Sequence, residues 1–115
     1  MEHKIFEASF ASIYPNYILK AEKKGKTIEQ VNDLIYWLTG YTSNQLEIVI
    51  NNDISFREFF DQAPRMNPNA GLVKGVICGI RVEDVEDDLM RNIRYLDKLI
   101  DELAKGKKIE NIKRK

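Results

Sequence analysis

Five apolar residues near the C-terminus, Leu89, Ile93, Leu96, Ile100 and Leu103, are separated by steps of four, three, four and three. That spacing draws one stripe along a helix. A helix over about 88–105 with such a stripe needs partners along its whole length, so the rest of the chain must supply packing faces. Its ends agree with the reading. Asp84, Glu86, Asp87 and Asp88 crowd the start, with Asp87 as the N-cap, and Lys105, Lys107 and Lys108 lie at the end. Both placements complement the helix dipole.

The partners announce themselves by their starts. Thr27 to Gln30, Thr42 to Gln45 and Ser55 to Glu58 each read as a capping box, a hydroxyl followed three residues later by Glu or Gln. Gly25, Gly40 and Gly106 stand where helices should stop, because glycine takes the left-handed cap without penalty. These marks predict a first helix over Phe10 to Lys24, with Phe10, Ile13, Tyr17, Ile18 and Ala21 on one face, unless Pro15 begins it. A second runs from Ile28 to Thr39, with Ile28, Val31, Leu34, Ile35 and Leu38 inward. A third covers Ser43 to Asn51 and a fourth Phe56 to Ala63, before Pro64. Residues 108–115 read as a frayed tail. The expectation is an all-α, compact single-domain bundle of five to six helices spanning 1–115.

The stretch AGLVKGVICGI holds Gly71, Gly75 and Gly79, three of the six glycines, four residues apart. It lacks GxGxxG, and its lysine is not in a GK[ST] context, so it is no phosphate loop. It reads either as a helix with a bare stripe or as a glycine-weakened strand pair. The helical surroundings favour a buried helix over 71–82.

Lys plus Arg and Asp plus Glu each total 18, for a formal net charge of zero. That balance argues against a chain built chiefly to grip nucleic acid or an anionic membrane. The single cysteine, Cys78, cannot form an internal disulfide, the N-terminal MEHKIFEASF has no apolar core for a signal peptide, and no apolar run is long enough to span a bilayer. The expected setting is cytoplasmic.

Several stretches, FASIYPNY, KAEKKGKT, WLTGY, APRMNPN, KGVICGIRVEDVED and IRYLDKLIDELAKGK, resemble the domain of unknown function 2200 family of small bacterial proteins. The resemblance covers nearly the whole chain. It implies an all-helical fold and brings no activity with it. One departure is Asp88, where the family pattern resembled carries a proline; Asp87 and Asp88 can start the helix electrostatically instead.

No catalytic constellation emerges. His3, the only histidine, lies near a terminus. Cys78 reads as a small buried hydrophobe, with no second cysteine or spaced histidine beside it. The acidic run Glu83 to Asp88 lacks the alternating oxygens and glycine of a calcium loop, so neither a metal nor a cofactor is expected. Lys20, Lys23, Lys24 and Lys26 read as a solvated face able to touch phosphate. The second and third helices have helix-turn-helix spacing, but SNQLEIVIN carries Glu47 and no Arg or Lys, and only Asn44 and Gln45 suit a base edge.

The remaining polar set is Tyr14, Tyr17, Trp37, Tyr41, Arg65, Asn67, Arg81, Arg94 and Tyr95. Tyrosines and arginines near helix ends can line a pocket for an anionic or aromatic small molecule. The competing reading places the aromatics in the core and pairs the arginines with acids such as Asp61, Asp97 and Asp101. The function expected is a non-enzymatic protein-interaction or small-ligand-binding module. The alternatives are a helix-turn-helix DNA-binding protein, or an enzyme without a recognisable motif. A homodimer sharing the last helix's seam is a further expectation.

Overall fold

The apolar stripe of the last long helix is the centre of the molecule. In the computed structural model, which describes residues 4–114, helix α5 spans Asp88–Ala104. Ile93, Leu96, Leu99 and Ile100 are fully buried, and Leu103 nearly so. Leu99 widens the heptad seam into a broad apolar face, which lets α5 pack on two neighbours at once: α1 (Phe10–Glu22) and α2 (Ile28–Thr39).

Helices α3 (Ser43–Asn51) and α4 (Phe56–Asp61) complete the shell, and α6 (Ile109–Ile112) closes it behind α5. Single 3₁₀ turns occupy Lys4–Glu7, Pro68–Leu72 and Val82–Asp84. The fold is mostly helical, with one exception described below. Among the described residues no helix is long and apolar enough to cross a membrane.

Two of the three predicted capping boxes form in full, and the third, at Ser55, forms only its first half. Thr27 and Thr42 each accept from the backbone N–H three residues on, while Gln30 and Gln45 reach back to the cap N–H at 2.9 Å. Ser55 accepts from the Glu58 N–H at 3.1 Å. Helix α1 begins at Phe10, capped by Ser9, so Pro15 lies on the exposed side of its interior and not at its start. The reason is tertiary. Phe10 donates its N–H to the Ile54 carbonyl at 2.8 Å, and Phe56 donates to Ala8 at 2.9 Å, so the starts of α1 and α4 are tied together. That brings Phe10 onto Phe59 in a stacked pair at 4.0 Å, with Phe56 edge-on at 5.5 Å. Aromatic pairs in these geometries gain about 0.5–1.5 kcal/mol beyond area burial.

Two expectations fail. The glycine stretch is not a buried helix. It forms a 3₁₀ turn at Pro68–Leu72 and then a two-stranded antiparallel ribbon, β1 (Val76–Ile77) and β2 (Ile80–Arg81), pairing Ile77 with Ile80. Cys78 and Gly79 make its two-residue turn, both at positive φ (53° and 76°), the backbone a tight hairpin of this twist requires. A helix would have had to recover about 1 kcal/mol for each interior glycine through close packing. Gly71 and Gly79 have nothing within 4 Å of an added Cβ, so no such packing exists there.

The second failure is the tail. Residues 108–115 do not fray over their described part: Ile112 is fully buried, and Arg114 clamps Glu102 with two hydrogen bonds of 2.6 and 2.8 Å. The sequence offers only one apolar pair there, Ile109 and Ile112, too short a pattern to signal docking.

Gly40 shows why one helix stop is obligatory and another is not. It caps α2 at φ 78°, and a Cβ there would sit 2.9 Å from both the backbone N and O of Arg65. Gly25 is also left-handed (φ 76°) but faces open space. Gly40→Ala should cost about 2–4 kcal/mol, conformational strain plus a backbone clash, while Gly25→Ala should cost about 1 kcal/mol. Urea denaturation of both variants decides this; equal losses would show that the Arg65 approach does not matter.

Candidate functional site

The nine polar residues singled out in sequence do not form one pocket. Trp37, Arg65 and Asn67 belong to a capping device. Arg65 and Asn67 donate backbone N–H groups to the Thr39 and Leu38 carbonyls at 3.0 and 2.9 Å, and the Asn67 amide donates to the Trp37 carbonyl at 3.1 Å. The loop before the 3₁₀ turn therefore satisfies carbonyls that the end of α2 leaves without helical donors. The Arg65 side chain is exposed, and Trp37 is half-buried against the core.

Tyr41 is buried and donates to the Phe59 carbonyl at 2.6 Å; burial pushes its phenol up to about 12. Tyr95 is buried, and Arg81 is exposed on β2. Tyr14 donates to Asn32 on α2, and burial raises its phenol despite that bond.

The two remaining members, Tyr17 and Arg94, do meet, and Asp97 joins them. Tyr17, on the buried face of α1, donates to Asp97 Oδ1 at 3.2 Å. Arg94, one turn earlier on α5, donates from Nη1 to Asp97 Oδ2 at 2.9 Å and approaches Cys78 Sγ at 3.6 Å. The Arg94 Nε is buried without a partner. The group borders a cleft of about 210 Å³ between α1, α5 and the β1–β2 turn, with Ile77 and Ile100 as apolar walls and Asn16, Lys20 and Cys78 among its lining residues.

Cys78 is exposed, contrary to the expectation of a buried hydrophobe, because the turn that needs its positive φ points outward. A turn of this type usually announces itself as Asn-Gly or Asp-Gly, so Cys-Gly gave little warning.

Burial pushes the Asp97 carboxyl above the usual carboxylate range, and the bonds from Arg94 and Tyr17 only partly offset it. Burial, and then the Asp97 carboxylate, push the Tyr17 phenol well above its ordinary value. One turn on, Asp101 behaves oppositely. Burial disfavours its charge, but Lys105 at 3.0 Å and Lys20 at 3.1 Å more than compensate and hold it below the usual range.

Other sequence features resolve into structure. Asp87 caps α5 by accepting from the Met90 N–H at 2.8 Å, and Glu83 accepts from the Gly75 N–H at 3.1 Å. Gln45 is engaged in its capping box, so the α3 surface has one fewer free amide for a base edge. Among the described residues no three His, Cys, Asp or Glu side chains gather where they could hold a metal ion. His3 lies outside the described residues.

The two aspartates make opposite pH signatures. The native Asp97 binds its proton more tightly than the unfolded chain does, so stability falls as pH rises from its unfolded pKa, near about 3.9, through its raised native one. The native Asp101 value is depressed, so its contribution is present above the unfolded pKa and is lost as pH falls through the native one. Denaturant unfolding as a function of pH should show that Asp101→Asn reduces the acid-side loss while Asp97→Asn removes the fall on the less acidic side. A wild-type stability that climbs through the Asp97 titration, followed by carboxyl NMR, would contradict the dominance of burial.

Comparison with known proteins gives one consistent answer. No curated protein matches the chain. The crystal structure of "uncharacterized protein SP1917" is similar to it at 40% identity and a TM-score of 0.91, covering 97% of this chain and 92% of that one. A family model described as "Uncharacterized protein conserved in bacteria (DUF2200)" matches residues 4–114, which is the entire described fold, from the first 3₁₀ turn to the Arg114 clamp. The chain therefore belongs to this bacterial family, DUF2200.

Proposed function

We propose that the protein is a non-enzymatic binding module whose cleft between α1, α5 and the β1–β2 turn receives a small molecule with an apolar body and one hydrogen-bonding end. The observation that carries this reading is Asp97, a mostly buried carboxyl with a raised pKa that opens onto a cleft walled by Ile77 and Ile100. Displaced titration inside an apolar concavity is a physical mark of a site. The cleft, at about 210 Å³, is smaller than the roughly 300–1,000 Å³ usual for drug-sized ligands, which favours a compact occupant.

Catalysis finds less support. Tyr17 and Arg94 both donate to Asp97, so neither is left free to act as an acid or a base. Cys78 touches a guanidinium and no base. A DNA-reading role for α3 lacks the lysines and arginines that phosphate contacts demand.

A thermal-shift screen against small metabolites tests the proposal. A ligand at a hundred times its Kd stabilises by about 2.7 kcal/mol, which should raise Tm by on the order of 10 °C here. A true occupant should also slow alkylation of Cys78 at the cleft lip. Its effect should disappear in Asn16→Trp, which blocks the mouth from an exposed position, and weaken in Asp97→Asn. A Tm rise that survives in both variants would place the ligand elsewhere and sink this reading.

A further inference from the structure

A second concavity shares no residue with the Asp97 cleft. It forms where the α1–α2 turn meets the α5–α6 turn and has a volume of about 580 Å³. Lys26, Lys107, Lys108 and Lys113 line it against a single acid, Glu110. In a chain whose formal charge is zero, four cations to one anion is a local excess. We propose that this groove binds a small soluble anion carrying two or more linked phosphate groups.

Three observations support the assignment. The first is charge left over after internal pairing. Lys113 pairs with Asp33 at 2.7 Å and Lys107 approaches Glu102 at 3.7 Å, but among the described residues Lys26 and Lys108 have no carboxylate within ion-pair distance. Two unpaired ammoniums facing one concavity suit a ligand with at least two negative charges.

The second is the construction of the walls. Lys108 and Lys113 are carried by the segment around α6, which Ile112 anchors in the core and Arg114 clamps to Glu102. The lysine backbones are therefore held in place, and less entropy is lost on binding than from a free tail. The third is the neighbouring helix end. Lys26 precedes and Gln30 lies in the first turn of α2, a 12-residue helix whose N-terminal partial positive charge, opposed in part by Glu29, contributes to the same field.

The size and confinement of the groove favour a small ligand over a nucleic acid. Its volume lies within the roughly 300–1,000 Å³ of small-molecule sites. A nucleic acid gains affinity by spreading contacts over many phosphates along an extended basic surface.

The test is calorimetric titration at low salt with inorganic pyrophosphate and with ADP, using sulfate as a control for ionic strength. Both phosphate probes should bind, sulfate much more weakly. Affinity should fall by about tenfold or more in Lys26→Glu and in Lys108→Glu. Both positions are on the surface, and the thermal transition of each variant, measured alongside, separates lost binding from lost fold. Asp97→Asn should leave pyrophosphate binding unchanged, which keeps this outcome independent of the other cleft. Absence of binding by both probes, or wild-type affinity retained in both charge-reversed variants, would overturn the proposal. So would tighter binding of a single-stranded oligonucleotide than of pyrophosphate, which would make the groove a nucleic-acid surface.

Discussion

Burial of the α5 apolar face against α1 and α2 is the interaction on which the rest of the structure depends. Ile93, Leu96, Leu99 and Ile100 are withdrawn from water completely. Each contributes about 1.5–3 kcal/mol relative to an exposed position. Because Leu99 broadens the face, one neighbour cannot cover it. Helices α1 and α2 cover it together, and the β1–β2 ribbon and the Val82–Asp84 turn rest on α5 as well. The aromatic group of Phe10, Phe56 and Phe59 then fills the space that α4 shares with α1.

Around that apolar centre the charges act as locators. Asp101 and Glu102 are consecutive and both nearly buried, yet they serve different segments. Asp101 reaches Lys20 on α1 and Lys105 at its own helix end, and Glu102 holds Arg114 beyond α6. Such partly buried pairs add little net stability once desolvation is counted, but removing one partner is costly. Their effect here is to set where α1 and the last turn dock. Both concavities follow from that docking. The cleft beside Asp97 exists because α1 is held against α5, and the lysine groove exists because α6 is folded back.

Much of this is legible in the sequence. The α5 seam, the Thr27 and Thr42 capping boxes and the Gly40 stop are local patterns whose physics needs only neighbours within four residues. The glycine stretch reads as a helix or a strand pair, and what decides between them is a two-residue turn in which Cys78 adopts a positive φ, which nothing in the residue type advertises. Trp37, Arg65 and Asn67 looked like pocket residues, yet they are joined by backbone donors to the end of α2, an arrangement invisible in side-chain chemistry. Asp97 was only one of three candidate partners for the arginines; its bond from Tyr17, eighty residues away, makes it central.

The sequence by itself determined that the segments of α1 to α5 are helical, where most of them start and stop, and which face of α5 must be buried. Those properties arise from periodicity and from hydrogen bonds between near neighbours, so they are written in short windows. Only the tertiary structure decided that the glycine segment is a ribbon, that the last turn docks through Ile112 and Arg114, and that Tyr17, Arg94 and Asp97 converge. Each of those depends on contacts between residues distant in the chain. Their energies exist only after α5 has drawn the other elements around it.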